Sequence, residues 1–206
     1  MTKEGYIFPL PFLAVSAFFM LLFNRYADIT FAYLTAIFFF LGMAVMLFFR
    51  DPDRKIPVGE KLVLSPADGR VIKIDEIDGH PLLSIFLSIF NVHVNRAPVT
   101  GTVKSLEFRP GKFFSAYRDK AMVENQKNEI EFETPSGIVK MCQVTGSIAR
   151  RIIFYHKIGI SLKAGERVGL IRFGSRVDLI LPAGSRIDIK LKQKVVGGKT
   201  VIGMLP

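Results

Sequence analysis

Glu129-Ile-Glu-Phe-Glu-Thr-Pro-Ser-Gly-Ile-Val-Lys-Met-Cys-Gln-Val-Thr-Gly-Ser147 is the stretch that decides the fold. Glu129–Glu133 alternates charged and apolar residues, the period of a half-buried strand. Ile138–Val144 is a second apolar, β-branched run, and Pro135-Ser-Gly137 between them is a turn signal. The segment predicts a β-hairpin whose second strand runs out at Gly146-Ser147. Outward from it the pattern repeats. Leu62–Ser65, Arg70–Ile77, Leu82–Ser88 and Thr102–Phe108 precede it, and Arg167–Phe173, Val177–Leu181 and Ile187–Leu191 follow. Turn residues such as Ala67-Asp-Gly69, Asp78-Gly79, Pro110-Gly111 and Pro182-Ala-Gly-Ser185 separate them. Short strands at intervals of about ten residues predict an all-β sandwich or barrel. Ser147–Tyr155 reads as a strand or a short helix. Lys112–Lys127, rich in Lys, Arg, Glu and Asn, reads as a surface loop near a site.

The chain begins differently. Ile7–Phe23 and Ile29–Phe49 are nearly continuous apolar runs, and the second is long enough to cross a bilayer core of roughly 30 Å. A cleaved signal peptide is the rival reading, but the second run ends in Arg50-Asp-Pro-Asp-Arg-Lys55 rather than at a small-residue cleavage site. Residues 1–50 are therefore predicted to be a membrane anchor of two hydrophobic helices, 51–60 a linker, and 61–206 a compact, mainly β domain of sandwich or barrel type. Lys3 precedes the first run, and Arg50, Arg54 and Lys55 follow the second; the hairpin tip holds only Arg25. This bias favours a cytoplasmic soluble domain on the cell membrane.

The 206 residues carry a net charge of +10, which suits an anionic partner. Nucleic acid and an anionic membrane surface are the candidates, and the anchor favours the membrane. Cys142 is the single cysteine, so neither an intrachain disulfide nor a thiolate metal cluster is available. Of the three histidines, His80 follows a turn and His156 sits between Tyr155 and Lys157. His93 differs. It follows the apolar stretch Leu87–Val92, at a predicted strand end before Val94-Asn-Arg-Ala-Pro98, a place suited to a cleft. Asp68 in Ala-Asp-Gly is a natural turn residue, and Ser147 after Gly146 is, taken alone, a turn serine.

The motifs together resemble the phosphatidylserine decarboxylase family in its short, anchored form. They are Phe48-Phe-Arg-Asp-Pro52, Ser65-Pro-Ala-Asp-Gly-Arg70, Phe86-Leu-Ser88, Asn91-Val-His93, Arg96-Ala-Pro98, Thr145-Gly-Ser147 and Arg172-Phe-Gly-Ser175. No one of them is specific; their order and spacing are. The resemblance implies a proenzyme that cleaves itself between Gly146 and Ser147. The serine hydroxyl attacks the preceding carbonyl, and elimination and hydrolysis convert Ser147 to a covalent pyruvoyl cofactor. Residues 1–146 would become the β chain and 147–206 the α chain. The mature enzyme would join the serine headgroup amine to the pyruvoyl group as a Schiff base, lose carbon dioxide and release the ethanolamine lipid.

A weakly nucleophilic hydroxyl needs a base, and Asp68 and His93 are the candidates; His93 is also the candidate proton donor in the decarboxylation. Arg96 and Arg118 are candidate holders of the lipid phosphate, and Phe173, Gly174 and Ser175 resemble a family motif beside the pyruvoyl group. Longer members carry His-x-x-His where this chain has His93 and Arg96. Either one histidine serves both steps, or Asp68 activates Ser147 more directly. The expected partners are an anionic phospholipid and the membrane, with no nucleic acid, and a homo-oligomer is compatible with them. The lipid tails are open, so a decarboxylase of an archaeal ether-lipid serine headgroup is an alternative. So is a non-catalytic anchored β-barrel carrier module, which Lys140 in mid-strand disfavours. A zinc peptidase would need clustered ligands; no metal site is predicted.

Overall fold

The computed structural model describes residues 1–118, 120–147, 151–172 and 174–206. It divides into two units, Met1–Asp53 and Arg54–Pro206.

The first unit is helical, with α1 (Lys3–Ile7), α2 (Leu10–Tyr26) and α3 (Ile29–Phe48). Pro9 and Pro11 lie at the start of α2, where the missing N–H groups would be unpaired in any case. They explain why the long helix begins at Leu10 rather than at Ile7. Ala27, in a left-handed conformation, ends α2. Asp28 caps α3 by accepting the Thr30 N–H at 2.8 Å. The two long helices pack as a hairpin: Phe19 stacks on Phe31 and Phe38, and the Ser16 hydroxyl donates to the Thr35 carbonyl at 2.9 Å. Phe18, Leu21, Tyr33 and Phe40 stay exposed on the outer faces. Both helices are long and apolar enough to cross a membrane.

The second unit is mainly β. In chain order it contains β1 (Leu62–Leu64), β2 (Gly69–Ile77), β3 (His80–Leu87), β4 (Val94–Arg96), β5 (Gly101–Arg109), the short α4 (Lys120–Glu124), β6 (Lys127–Thr134) and β7 (Gly137–Thr145). There follow β8 (Ile152–Phe154), β9 (Ser161–Leu162), β10 (Arg167–Ile171), β11 (Ser175–Ile180), β12 (Arg186–Ile187), β13 (Lys194–Val195) and β14 (Val201–Met204). Eight strands form one antiparallel sheet, curled as a half-barrel, in the order β13-β2-β3-β11-β7-β6-β5-β9. Two three-stranded sheets, β1-β14-β12 and β4-β10-β8, complete the unit.

The opening hairpin is β6–β7, with Thr134 opposite Gly137. The Thr134 hydroxyl closes its turn by donating to the Gly137 carbonyl at 2.7 Å. Lys140 sits inside β7 and pairs with Glu129 and Glu131 on β6. Alternation sorts the faces of the central strands. Leu83, Ile85, Met141, Val177 and Leu179 enter the main core, all fully buried. Each contributes roughly 1.5–3 kcal/mol by leaving water. The opposite face carries Ser84, Cys142, Val144, Arg176 and Asp178, also buried, with Ala121 of α4 in contact with Cys142 and Val144.

Two elements differ from the sequence expectation. Lys112–Lys127 contains α4, and an isolated bridge between Lys112 and Asn125 closes it at its base. Val94–Arg96, directly after His93, is itself a strand, β4, where the sequence shows only the end of one. Three residues are too few to show a period, so β4 has no signature of its own. The third sheet gives it a partner in β10.

Candidate active site

β3, β11 and β7 lie side by side, and their register aligns Leu87, Ser175 and Thr145 in one transverse row. One residue past that row stand Ser88, Gly174 and Gly146, followed by Ser147. On the other side of β3, Arg70 lies opposite Phe86, so Asp68 joins the same margin just before β2. Motifs scattered along the chain thus meet at one end of the sheet. Neighbouring strands are about 4.8 Å apart, so the main chain at Asp68 is three strand spacings, about 14 Å along the sheet, from Gly146.

Gly146 is buried and Ser147 exposed. A Cβ at position 146 would come within 2.4 Å of the Gly174 carbonyl oxygen and 3.3 Å of the Ala116 Cβ. Glycine is therefore the residue that permits this approach. Ser147 opens on a cavity of about 270 Å³ lined also by Ser88, Ser115, Ala116 and Gly174. An adjoining cavity of about 600 Å³ shares Phe86 and Ser88 with it and reaches Asp68, Arg70 and Asn91.

His93 is fully buried. Its Nδ1 is 2.9 Å from the Asn91 carbonyl oxygen, and the Gly174 N–H donates to its Nε2 at 3.2 Å. A carbonyl only accepts and an N–H only donates, so the proton belongs on Nδ1 and Nε2 is the basic nitrogen. Gly174 therefore touches both sides of the site: its N–H meets His93, and its carbonyl abuts Gly146. Asp68 is held elsewhere. Arg54 grips both carboxylate oxygens, at 2.6 and 2.9 Å, and the Gly197 N–H donates to one of them at 2.8 Å. That bidentate clamp fixes the Asp68 turn.

The other predicted residues are dispersed. Arg96 is buried and donates to the Gly165 carbonyl at 3.0 Å; it lines a separate cavity of about 800 Å³ with His156 and Lys163. Arg118 is exposed, and its N–H donates to the carbonyl of Ser115, a residue of the Ser147 cavity. Ser175 is buried, and its hydroxyl has no partner among the described residues. Phe173 lies outside the described residues. His80 and His156 bond to the backbone carbonyls of Leu181 and Arg167. Among the described residues no three His, Cys, Asp or Glu side chains cluster as a metal site would require. Burial pushes the Cys142 thiol up to about 12, so it is a packing residue.

Asn125 was not legible in the sequence. Its buried amide nitrogen donates to the Thr145 carbonyl at 2.7 Å and to the Phe114 carbonyl at 2.8 Å, and its oxygen accepts the Phe114 N–H at 2.8 Å. It thus ties the segment that lines the cavity to the residue just before Gly146. Nothing in Val123-Glu-Asn-Gln126 separates it from any polar loop residue. In the sequence Arg54 stands only as a charge flanking the anchor; its partner, Asp68, is visible only in the fold.

The chain also matches known proteins along most of its length. The phosphatidylserine decarboxylase family profile matches residues 41–203. A protein of Geobacter sp. (strain M21) named phosphatidylserine decarboxylase proenzyme is 44% identical, over 98% of this chain and 95% of that protein. Proteins of the same name from Aromatoleum aromaticum and Chlorobaculum tepidum are each 43% identical. The first alignment covers 100% of this chain and 96% of that protein, the second 77% and 76%. With the profile spanning most of its length and relatives aligned nearly end to end, the chain belongs to the phosphatidylserine decarboxylase family.

Proposed function

We propose that this protein is a phosphatidylserine decarboxylase that makes its catalytic group from its own Ser147 and works at the cytoplasmic face of the membrane. One observation carries the reading: Gly146-Ser147 and the basic nitrogen of His93 are linked through Gly174 at the margin of one sheet. Self-processing begins when the Ser147 hydroxyl attacks the Gly146 carbonyl carbon and passes its proton to His93 Nε2. A C–O bond forms and the Gly146–Ser147 C–N bond breaks, leaving an ester. Elimination then frees residues 1–146, and hydrolysis releases ammonia and leaves a pyruvoyl group at position 147. In the resting fold Nε2 accepts the Gly174 N–H at 3.2 Å; that long bond has to give way when the nitrogen takes the serine proton, because a protonated Nε2 only donates.

The residues fit such a group. The close approach of glycines 146 and 174 leaves a small cavity beside position 147, and Ser175, whose buried hydroxyl has no partner among the described residues, follows directly on Gly174 in its wall. A pyruvoyl group supplies an electron sink for the pair left behind when the carboxylate departs as carbon dioxide, the part that pyridoxal phosphate plays elsewhere. His93 then holds the proton for the product's α-carbon. Asp68, clamped by Arg54, acts by fixing the turn that walls the adjoining cavity, and Arg118 beside Ser115 takes the lipid phosphate. The basic residues flanking α2 and α3 support the cytoplasmic orientation.

The test is the full-length Ser147→Ala protein in vesicles containing phosphatidylserine. It should remain one uncleaved chain and release no carbon dioxide, whereas the parent is cleaved and active. Turnover by the alanine variant would refute the proposal.

A further inference from the structure

We infer that the rim of the Ser147 cleft is itself a membrane-docking surface, which inserts into the interface of an anionic phospholipid bilayer. The inference deepens the lipid-decarboxylase reading and rests on it.

The rim is built as a fixed turn with an apolar tip. The Asn91 side-chain oxygen accepts both the N–H and the hydroxyl of Ser88, at 2.9 and 2.8 Å, and the Asn91 N–H donates to the Ser88 carbonyl at 2.9 Å. Polar groups close the base of the turn and leave Ile89 and Phe90 at its tip, 47% and 78% exposed. Tyr117, 63% exposed, stands beside them, its ring edge-on to Phe86 at 5.7 Å. Ile89 lines the cavity that holds Ser147, while Phe90 and Tyr117 line the adjoining one. Large side chains held out in water on a rigid turn mark a contact surface.

The charges select the occupant. Arg70 and Lys194 line the same adjoining cavity, Arg118 follows Tyr117, and all three are exposed. Among the described residues lining that cavity the acidic one, Asp68, is paired with Arg54. Apolar and aromatic tips among exposed cations match the bilayer interface: the rings reach the acyl boundary and the cations meet lipid phosphates. The cavities open between these groups. A lipid headgroup can then enter the cleft while its chains stay in the bilayer, so the substrate need not be extracted into water.

The chain contains no tryptophan, so one introduced tryptophan reports its own surroundings. The full-length variants Phe90→Trp and Tyr117→Trp are compared with Ile158→Trp. Ile158 is 59% exposed and lies in the turn before β9, at the other edge of the large sheet. Each is reconstituted in vesicles of phosphatidylcholine and phosphatidylglycerol with brominated chains. The expected result is a blue-shifted emission at positions 90 and 117, quenched several-fold more by bromine than at 158, and weaker quenching at high salt. Equal quenching at all three positions overturns the inference. So does a blue shift without bromine quenching, which would mean that protein, a second copy included, covers the rim. Cleavage at 146–147, read by mass on the same samples, reports separately on the decarboxylase reading. Selective quenching without cleavage would sink that reading and leave the docking surface standing.

Discussion

At the scale of single residues, the site depends on groups that cannot be exchanged for near relatives. Gly146 has no room for a side chain against Gly174, and His93 is poised by two backbone partners that fix its tautomer. Asn125 is the clearest case. Its amide supplies two donor bonds and one acceptor bond within the protein, at 1% exposure. Asn125→Ala leaves the Thr145 and Phe114 carbonyls and the Phe114 N–H without this partner. It is expected to cost about 1–3 kcal/mol, measured by urea unfolding. It should also slow self-cleavage about ten-fold or more, followed by intact mass with time. Asn125→Asp should be worse near neutral pH, because a carboxylate would face two carbonyl oxygens. Processing at the parent rate in either variant would remove Asn125 from the positioning role.

At the scale of elements, β11 is the spine of the second unit. One of its faces feeds the core through Val177 and Leu179; the other buries Arg176 against Asp178, with Ser84 of β3 accepting from Arg176 at 2.7 Å. Burial pushes the Asp178 carboxyl up, while Arg176 and Ser84 oppose the shift. Arg176→Ala leaves an unpaired buried carboxylate and should cost about 3–5 kcal/mol at neutral pH. With the opposing cation gone, the carboxyl rises further, so the charged form is what destabilises the fold. The loss should therefore shrink as pH falls and Asp178 becomes protonated. Urea titrations at neutral and acid pH check this; a loss independent of pH would assign it to packing.

Elements also show how much was legible beforehand. β2, β3, β5, β6 and β7 announced themselves by short apolar or β-branched runs and by turns such as Asp78-Gly79 and Pro135-Ser-Gly137. Two-residue strands such as β9 and β13, and the single-turn α4, are too short to carry a period and exist because the sheet and its covering loop hold them. In the site, Gly146, Ser147, His93 and Asp68 were named from motifs. Their arrangement was not readable, because the transverse row depends on strand register. The Asp68–Arg54 clamp and the Asn125 tie are contacts between residues distant or unremarkable in sequence.

At the scale of the whole molecule, the proposed cut falls between strands that belong together. β7 precedes it and pairs with β11, which follows it; β2 pairs with β13, β1 with β14 and β4 with β10 across the same division. The two products should therefore stay together as one folded unit and separate only on denaturation. They should migrate as one species in native gels or sizing columns, and as two under denaturing conditions. The apolar helices belong to the larger product, so the smaller one would be retained on the membrane through these strand pairs. The most direct measurement is the denatured mass of the purified full-length protein. Conversion of Ser147 predicts two chains split between residues 146 and 147, the second lighter by one ammonia than the serine-initiated sequence and blocked at its N-terminus. A single intact chain, or a second chain beginning with unmodified Ser147, would contradict it.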